Sequence, residues 1–231
     1  MTFSAQAWQA AGPRFAEIMR HPFLRRLVDG TLGEDVFVRY LHDDVHYLNG
    51  YARVLATIAS RAPDADGIAL FAGAAERAIA AELDVHRTYL LPRGSDVAAG
   101  GVIGATPTCR AYVGMLNTVA TCEPVEVAIA AVLPCFRVYS EVGRGIGDPG
   151  MDHPYRRWID AYADPEFTEA VRAVEGYVDR LAEPVSDGRR GRMTAAYLDA
   201  TRYEWMFWDA AWRAEAWPAP DARGPAHDTV S

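Results

Sequence analysis

Apolar side chains recur at steps of three and four residues along most of this sequence. That spacing places them on one face of an α-helix, and the long segments are rich in alanine, leucine, glutamate and arginine, which favour helices. No pair of alternating segments joined by a tight turn indicates a β-hairpin. The sequence therefore predicts an all-α fold, with helices at 4–19, 22–29, 34–61, 66–91, 107–121, 124–143, 154–163, 165–183 and 190–214.

The length of the chain and its loops predict one domain over residues 1–217. A chain of 231 residues has a size that commonly forms a single domain. Two loops rich in glycine, at about 92–105 and 144–153, are the longest connections between the predicted helices. The last residues, 218–231, are polar and rich in proline, so we expect a disordered tail.

Charge and hydropathy limit the partners of the protein. With 23 basic and 31 acidic residues the net charge is −8, which argues against binding to nucleic acid. No apolar run reaches the ~20 residues of a membrane helix, and the first residues lack the pattern of a signal peptide. The three cysteines cannot all pair with one another and have no zinc-site spacing, so we expect reduced thiols. We expect a cytoplasmic protein that binds neither nucleic acid nor membrane.

All of the basic residues are arginine, and the sequence contains no lysine. This excludes a lysine Schiff base, a lysine general base and the lysine of a phosphate-binding P-loop. Covalent catalysis in this chain would therefore depend on a thiol, a hydroxyl or a carboxylate.

Two carboxylates interrupt helix faces that are otherwise apolar or aromatic. Asp44 lies on the inward face of the third predicted helix, and Glu204 lies among aromatic residues of the last one. A buried carboxylate is costly unless it is paired. Asp44 is therefore either a structural group held by an arginine or a backbone donor, or a functional one. Glu204 is either part of a buried salt bridge to an arginine or an acid–base catalyst, because burial raises a carboxyl pKa toward values useful in such catalysis.

Cys135 is the third polar group on an inward face, and Tyr139 follows it by one helical turn. Pro134 cannot donate to the helix and clashes with the preceding turn, so we expect a kink that opens a cavity at the sulfur. The alternative is that Cys135 is a small core residue, as most cysteines on apolar faces are. We interpret Cys109 and Cys122 in that way.

Two pairs of residues have the spacing of metal ligands on one helix face. His42 and His46 are four residues apart, and so are Glu82 and His86. The two histidines of the first pair point roughly opposite to Asp44, so these three cannot share a site. A di-iron centre would need further carboxylates and histidines from other helices.

Several short motifs occur in order between residues 8 and 213. They are His21–Leu24, Asp29–Leu32, Phe37–Leu48, Glu82-x-x-x-His86, Pro134-Cys135-Phe136 with Tyr139, Tyr155-x-x-Trp158-Ile159-x-x-Tyr162, and Tyr203-Glu204-x-x-Phe207-Trp208-Asp209. As a set, and in this order, they resemble the motifs of the TenA family, also called thiaminase II.

The resemblance implies a haem-oxygenase-like helical bundle that assembles as a homotetramer and needs neither haem nor metal. It implies hydrolysis of 4-amino-5-aminomethyl-2-methylpyrimidine to the hydroxymethyl pyrimidine, and also cleavage of thiamin. By position, Cys135 would add to the pyrimidine ring as nucleophile, Glu204 would shuttle protons, and Asp44 would bind the ring nitrogen and amine. The substrate-binding residues would be Tyr47, Tyr112, Tyr139, Tyr162 and Phe207.

Two positions depart from the family pattern. Asp43 stands where glutamine is usual, which changes the hydrogen-bonding neighbourhood of Asp44, and Asn49-Gly50 is smaller than the residues expected there. Three hypotheses follow. The leading one is a cysteine-dependent aminopyrimidine hydrolase without a cofactor, and the others are a metal-dependent oxidase on the same scaffold and a non-catalytic pyrimidine-binding protein.

Overall fold

The computed structural model describes residues 1–93 and 104–218. These ranges contain helices and no β-strand, which confirms the all-α prediction. The α-helices are α1 (Phe3–Met19), α2 (Pro22–Val28), α3 (Glu34–Arg61), α4 (Ala65–Val85), α5 (Pro107–Cys122), α6 (Val125–Ile146), α7 (Arg156–Ala163), α8 (Pro165–Ala182) and α9 (Asp187–Trp212).

Two helices end differently from the prediction. The segment predicted as one helix to residue 91 leaves the α-helical pattern after Val85, and a π-helical turn (His86–Leu90) and a 3-10 turn (Leu91–Arg93) follow it. Apolar spacing does not encode such a change in hydrogen bonding. Helix α6 runs three residues beyond its predicted end, through Gly143 and Gly145, because its packing outweighs the low helix propensity of glycine.

Helices α3, α6 and α9 form the centre of the molecule. Helix α3 packs against α4, α5 and α9, and α6 packs against α7, α8 and α9. Their inward faces form one continuous hydrophobic core, in which Tyr40, Ile129 and Trp208 have no exposed surface. The three faces that carry Asp44, Cys135 and Glu204 therefore meet inside the bundle, as their apolar stripes predict.

Two glycines allow neighbouring helices to pack closely beside these faces. A side chain added at Gly50 of α3 would place its Cβ 2.5 Å from Val113 of α5. One added at Gly143 of α6 would lie 2.6 Å from the backbone of Tyr162, at the end of α7. Real Cβ atoms do not approach so closely, so glycine permits both contacts. The small residue noted at position 50 thus has a packing reason.

Pro134 lies inside α6, which continues on both sides of it; the predicted kink stays a prediction. The single domain ending at residue 217 also stays a prediction. Most of the predicted tail, residues 219–231, lies outside the described residues. Among the helices that are described, none combines the length and apolar character required to cross a membrane.

Candidate active site

A cavity of about 420 Å³ opens among α3, α4, α6, α7 and α8. Its inner end is lined by six side chains that carry chemistry: Asp44, Tyr47, Tyr51, Cys135, Tyr139 and Tyr162. The volume lies in the range of small-molecule sites. The inward stripes of α3 and α6 thus place a carboxylate and a thiol on one cavity wall.

Cys135 lies on α6 at this wall, and its thiol is free and partly buried. Burial, and next the carboxylate of Glu204, raise the pKa of the thiol well above its usual value. The nearby hydroxyls of Tyr47 and, to a smaller extent, Tyr51 act against this shift, because either could turn its proton toward a thiolate. The Tyr47 hydroxyl is buried without a hydrogen-bond partner, while that of Tyr51 donates to the Val132 carbonyl at 2.8 Å. The resting cysteine is therefore protonated and needs a base.

Glu204 lies behind the cavity wall and has only 1% of its surface exposed. Its Oε1 accepts a hydrogen bond of 2.6 Å from the hydroxyl of Tyr112. Burial raises the pKa of Glu204 to about 8; the Tyr112 hydrogen bond acts against this shift and the charge of Asp44 adds to it. A carboxyl group with a pKa near neutrality can both accept and return a proton, which is what a proton shuttle requires.

Asp44 is the carboxylate of the cavity wall, and its Oδ2 is buried without a hydrogen-bond partner. Burial and the adjacent carboxylate of Asp43 raise the pKa of Asp44 to about 7. Among the described residues, no arginine forms an ion pair with Asp44 or Glu204. The alternative of structural carboxylates held by arginine thus finds no support within these residues.

Asp43 performs a different task from its neighbour. Its two carboxylate oxygens accept hydrogen bonds from the backbone N–H (2.9 Å) and the hydroxyl (2.6 Å) of Thr106, the N-cap residue of α5. The thiol of Cys109 donates to the Asp43 carbonyl at 3.5 Å. Asp43 therefore fixes the start of α5 against α3. The neighbourhood of Asp44 thus contains a second buried acid where an amide was expected.

Aromatic rings surround both carboxylates and the thiol. Tyr47 lies against Tyr51, Tyr112 and Phe207, with ring centroids 5.0 to 5.5 Å apart. Tyr139 and Tyr162 lie 4.7 Å apart and close another side of the cavity. Such walls suit a flat heterocycle, which stacks on aromatic faces and is shielded from water.

Five of the eight predicted site residues line the cavity directly: Asp44, Tyr47, Cys135, Tyr139 and Tyr162. The other three do not line it: Tyr112 and Phe207 pack against Tyr47 of the wall, and Glu204 is hydrogen-bonded to Tyr112. Sequence reasoning missed Tyr51 and Trp158, which also line the cavity. Tyr51 follows Tyr47 by one turn of α3, and Trp158 belongs to the motif that contains Tyr162, so both had a signal in the sequence.

Of the two pairs with metal-ligand spacing, the structure describes the side chains of His42 and His46, and this pair is not part of the site. His42 is buried with an unpartnered Nδ1, and neither it nor His46 lines the cavity. Within residues 1–93 and 104–218, no three side chains of the metal-binding types converge. The side chains of Glu82 and His86 lie outside the described residues.

The outer end of the cavity is charged. Its lining includes Arg77, Asp84, Arg157, Asp164 and Glu166. Arg157 of α7 and Asp84 of α4 form an ion pair of 2.5 Å across this opening, and both side chains are more than half exposed. An apolar and aromatic interior thus leads outward to a polar, mixed-charge mouth.

The sequence is similar to known proteins along most of its length. Residues 8–214 match the model of the TENA/THI-4/PQQC family. The chain is 35% identical to a thiamine biosynthesis multifunctional protein of Corynebacterium efficiens over 91% of its own length but only 28% of that protein's. It is 31% identical to an aminopyrimidine aminohydrolase of Halalkalibacterium halodurans, over 94% of this chain and 98% of that one.

Solved structures confirm the fold. A TenA homologue from P. horikoshii OT3 superposes with a TM-score of 0.83, at 24% identity, over 92% of this chain and 99% of that one. A domain with a heme oxygenase-like fold from Shewanella denitrificans superposes with a TM-score of 0.73, at 12% identity, over 91% and 92% of the two chains. The bundle is therefore haem-oxygenase-like, and the chain belongs to the TENA/THI-4/PQQC family.

Proposed function

We propose that this protein hydrolyses 4-amino-5-aminomethyl-2-methylpyrimidine to the hydroxymethyl pyrimidine, with Cys135 as nucleophile. The observation that carries this proposal is the shared position of the Cys135 thiol and the Asp44 carboxylate on the wall of one aromatic cavity, with Glu204 behind it. A relative that matches this chain over nearly its whole length supports the proposal, because that relative is named an aminopyrimidine aminohydrolase.

The first step is addition of sulfur to the ring. With a pKa of about 8, Glu204 is ionised in a minor fraction of the protein at neutral pH, and that form is the base. The Cys135 proton passes to this carboxylate, and the thiolate adds to a pyrimidine ring carbon next to the one that bears the aminomethyl group. The electron pair displaced by this bond moves to a ring nitrogen. Asp44, with a pKa of about 7, can hold that nitrogen as a hydrogen-bond donor and the adjacent amine as an acceptor.

The second half exchanges ammonia for water. The proton on Glu204 passes to the aminomethyl nitrogen, the C–N bond breaks, and ammonia leaves with the ring electrons forming an exocyclic double bond. Water adds to that carbon and gives its proton to Glu204. The C–S bond then breaks, and the thiolate recovers its proton from Glu204. One water is consumed, one ammonia is released, and the enzyme returns to its starting state.

Replacing the nucleophile tests the proposal. We expect Cys135→Ser to retain affinity for the hydroxymethyl pyrimidine but to lose turnover by on the order of 10³-fold or more, because a serine hydroxyl is a far weaker nucleophile than a thiol. Cys122→Ser changes an exposed thiol at the end of α5 and serves as the control, with unchanged turnover. Wild-type turnover in the Cys135→Ser protein would contradict the proposed mechanism.

The same assay separates the two other hypotheses. A pyrimidine-binding protein would bind the ligand tightly and form no product even with Cys135 intact. A metal-dependent oxidase would contain stoichiometric metal when purified without chelator, and its activity would depend on that metal. Glu82 and His86 are the residues to replace in that case.

Membership of the family leads us to expect a particular oligomeric state and cellular location for this protein. We infer that the chain forms a homotetramer in the cytoplasm. Analytical ultracentrifugation at micromolar concentration should give a species of four times the mass of one chain. A monomer under those conditions would contradict the expected assembly without affecting the chemistry proposed for the cavity.

A further inference from the structure

Tyr40 is a fully buried polar side chain beside the cavity, and the proposed chemistry gives it no role. It lies on α3 one turn before Asp44, has no exposed surface, and does not line the cavity. Its ring packs against Phe23 and Phe207, at centroid distances of 5.3 and 5.8 Å. The ring fills the core as any aromatic residue would, so the hydroxyl needs its own explanation.

The hydroxyl of Tyr40 lies between two residues of the cavity wall. The indole Nε1–H of Trp158 lies 3.3 Å from the Tyr40 oxygen, and the hydroxyl oxygen of Tyr139 lies 3.3 Å from it on another side. Trp158 and Tyr139 both line the cavity. A buried hydroxyl therefore connects two helices, α6 and α7, at the wall where the substrate would bind.

The number of protons available determines which hydroxyl donates in the contact between Tyr40 and Tyr139. An indole N–H can only donate, so the Tyr40 oxygen accepts from Trp158. The one proton of Tyr40 then needs an acceptor, since leaving a fully buried donor unpaired is costly. The oxygen of Tyr139, 3.3 Å away, is the nearest such acceptor, and the hydroxyl of Tyr162 also interacts with that of Tyr40. Once Tyr139 accepts, its own proton is free to point away from Tyr40, toward the cavity.

We propose that Tyr40 is a positioning residue: it accepts from Trp158 and donates to Tyr139, and thereby directs the hydroxyl proton of Tyr139 toward the bound ligand. Tyr139 then acts as a fixed donor to a nitrogen or oxygen of the substrate. Burial, and in addition the charge of Asp44, raises the pKa of both Tyr40 and Tyr139, so both hydroxyls carry the protons that this arrangement requires.

This inference rests on the proposed function for its ligand, a hydroxymethyl or aminomethyl pyrimidine. It goes beyond that function because it assigns a role to a residue that does not touch the ligand. If Tyr40 acts only through Tyr139, removing the Tyr40 hydroxyl should weaken ligand binding only in a protein that still has the Tyr139 hydroxyl.

A double-mutant cycle tests this dependence. We expect Tyr40→Phe and Tyr139→Phe each to weaken binding of the hydroxymethyl pyrimidine, measured by calorimetry, and to lower kcat/KM, by up to roughly tenfold. The double variant Y40F/Y139F should be no worse than Y139F alone. Losses that multiply in the double variant, or a Y40F protein that binds and turns over as the wild type does, would overturn the proposal.

Tyr177→Phe is the matched control. Tyr177 is also buried, and its hydroxyl donates to Asp64 at 3.1 Å, but it does not line the cavity. Its loss should leave affinity and kcat/KM unchanged. If Y40F fails to fold, Trp158→Phe with and without Y139F repeats the cycle from the donor end. Because Trp158 also lines the cavity, the expectation there is a double variant that loses less than the product of the two single losses, and losses that multiply would overturn the proposal.

The two readouts distinguish this inference from the proposed function. A wild-type protein that binds the pyrimidine without turnover contradicts the hydrolase, while the binding cycle still decides the role of Tyr40. Multiplying losses in an active enzyme contradict only the role of Tyr40. Absence of both binding and turnover in the wild type contradicts both.

Discussion

Glu204 illustrates how burial changes the chemistry of a single residue. In the unfolded chain this carboxyl group has an ordinary pKa, whereas burial in the folded protein raises that pKa to about 8. Between these two values the folded protein binds a proton that the unfolded chain has lost. The free energy of unfolding must therefore fall as pH rises through this interval.

Replacing Glu204 with glutamine isolates this effect. Glutamine mimics the protonated acid and does not titrate, so the stability of Glu204→Gln relative to wild type should increase from pH 5 to pH 8. The expected slope is on the order of 1 kcal/mol per pH unit. Urea denaturation at several pH values measures it. A difference that stays constant over this range would mean that Glu204 is ionised in the folded protein at neutral pH.

Asp43 and Asp44 show how neighbouring residues of the same type acquire different tasks. Asp43 is held by two hydrogen bonds from Thr106, whereas Asp44 retains a buried oxygen without a partner. Consecutive positions of a helix point about 100° apart, so the first carboxylate faces α5 and the second faces the cavity. Asp43, which departs from the family pattern, thus makes only structural contacts. Its charge affects the site indirectly, because it raises the pKa of Asp44.

At the scale of helices, glycines decide how closely the elements that carry the site can approach. Gly143 lies two turns after Cys135 on α6, and the backbone of Tyr162 leaves no space for a Cβ there. Because the obstacle is backbone rather than a mobile side chain, α6 and the end of α7 would have to separate.

We expect Gly143→Ala to lower stability by about 1–3 kcal/mol, as overpacking does, and to lower turnover because Tyr162 moves with α7. Gly176→Ala on α8 is the control. No atom lies within 4 Å of the Cβ that it adds, so the change should be neutral or stabilising by up to about 1 kcal/mol. Thermal melts and pyrimidine turnover measure both effects. Wild-type stability of Gly143→Ala would show that the two helices can separate without loss.

At the scale of the whole molecule, the cavity is larger than one pyrimidine needs. A cavity of about 150 Å³ holds a benzene ring, and this one has about 420 Å³ and extends from Cys135 to the charged mouth. The remaining space lies beside Ala74, Ala78 and Ala81 of α4. A second ring attached at the aminomethyl position, as in thiamin, would fit within such a volume.

Filling the outer part should therefore separate two substrates. We expect Ala78→Leu to lower turnover of thiamin several-fold more than turnover of the aminomethyl pyrimidine, since only the larger molecule reaches that part. Mass spectrometry of both reactions measures the ratio. Ala80→Leu, at an exposed position of the same helix, should leave the ratio unchanged. Equal loss of both activities in Ala78→Leu would indicate that thiamin does not use this space.

The sequence alone determined the helical architecture and the candidate functional residues. Helical spacing is a local property, so the inward faces of α3, α6 and α9 and the three polar groups on them followed from positions three and four apart. The ordered motifs then indicated the family. The boundary of α4 and the length of α6 did not follow, because they depend on hydrogen-bond pattern and packing rather than on periodicity.

Only the tertiary structure decided what those residues do to one another. Glu204 and Tyr112 are 92 positions apart and share a hydrogen bond, and Tyr40 and Tyr139 are 99 apart with their hydroxyls in contact. No local pattern encodes such distances. A pKa depends on burial and on the nearest charges, so the protonated thiol of Cys135 and the near-neutral pKa values of Asp44 and Glu204 exist only once three helices have packed together.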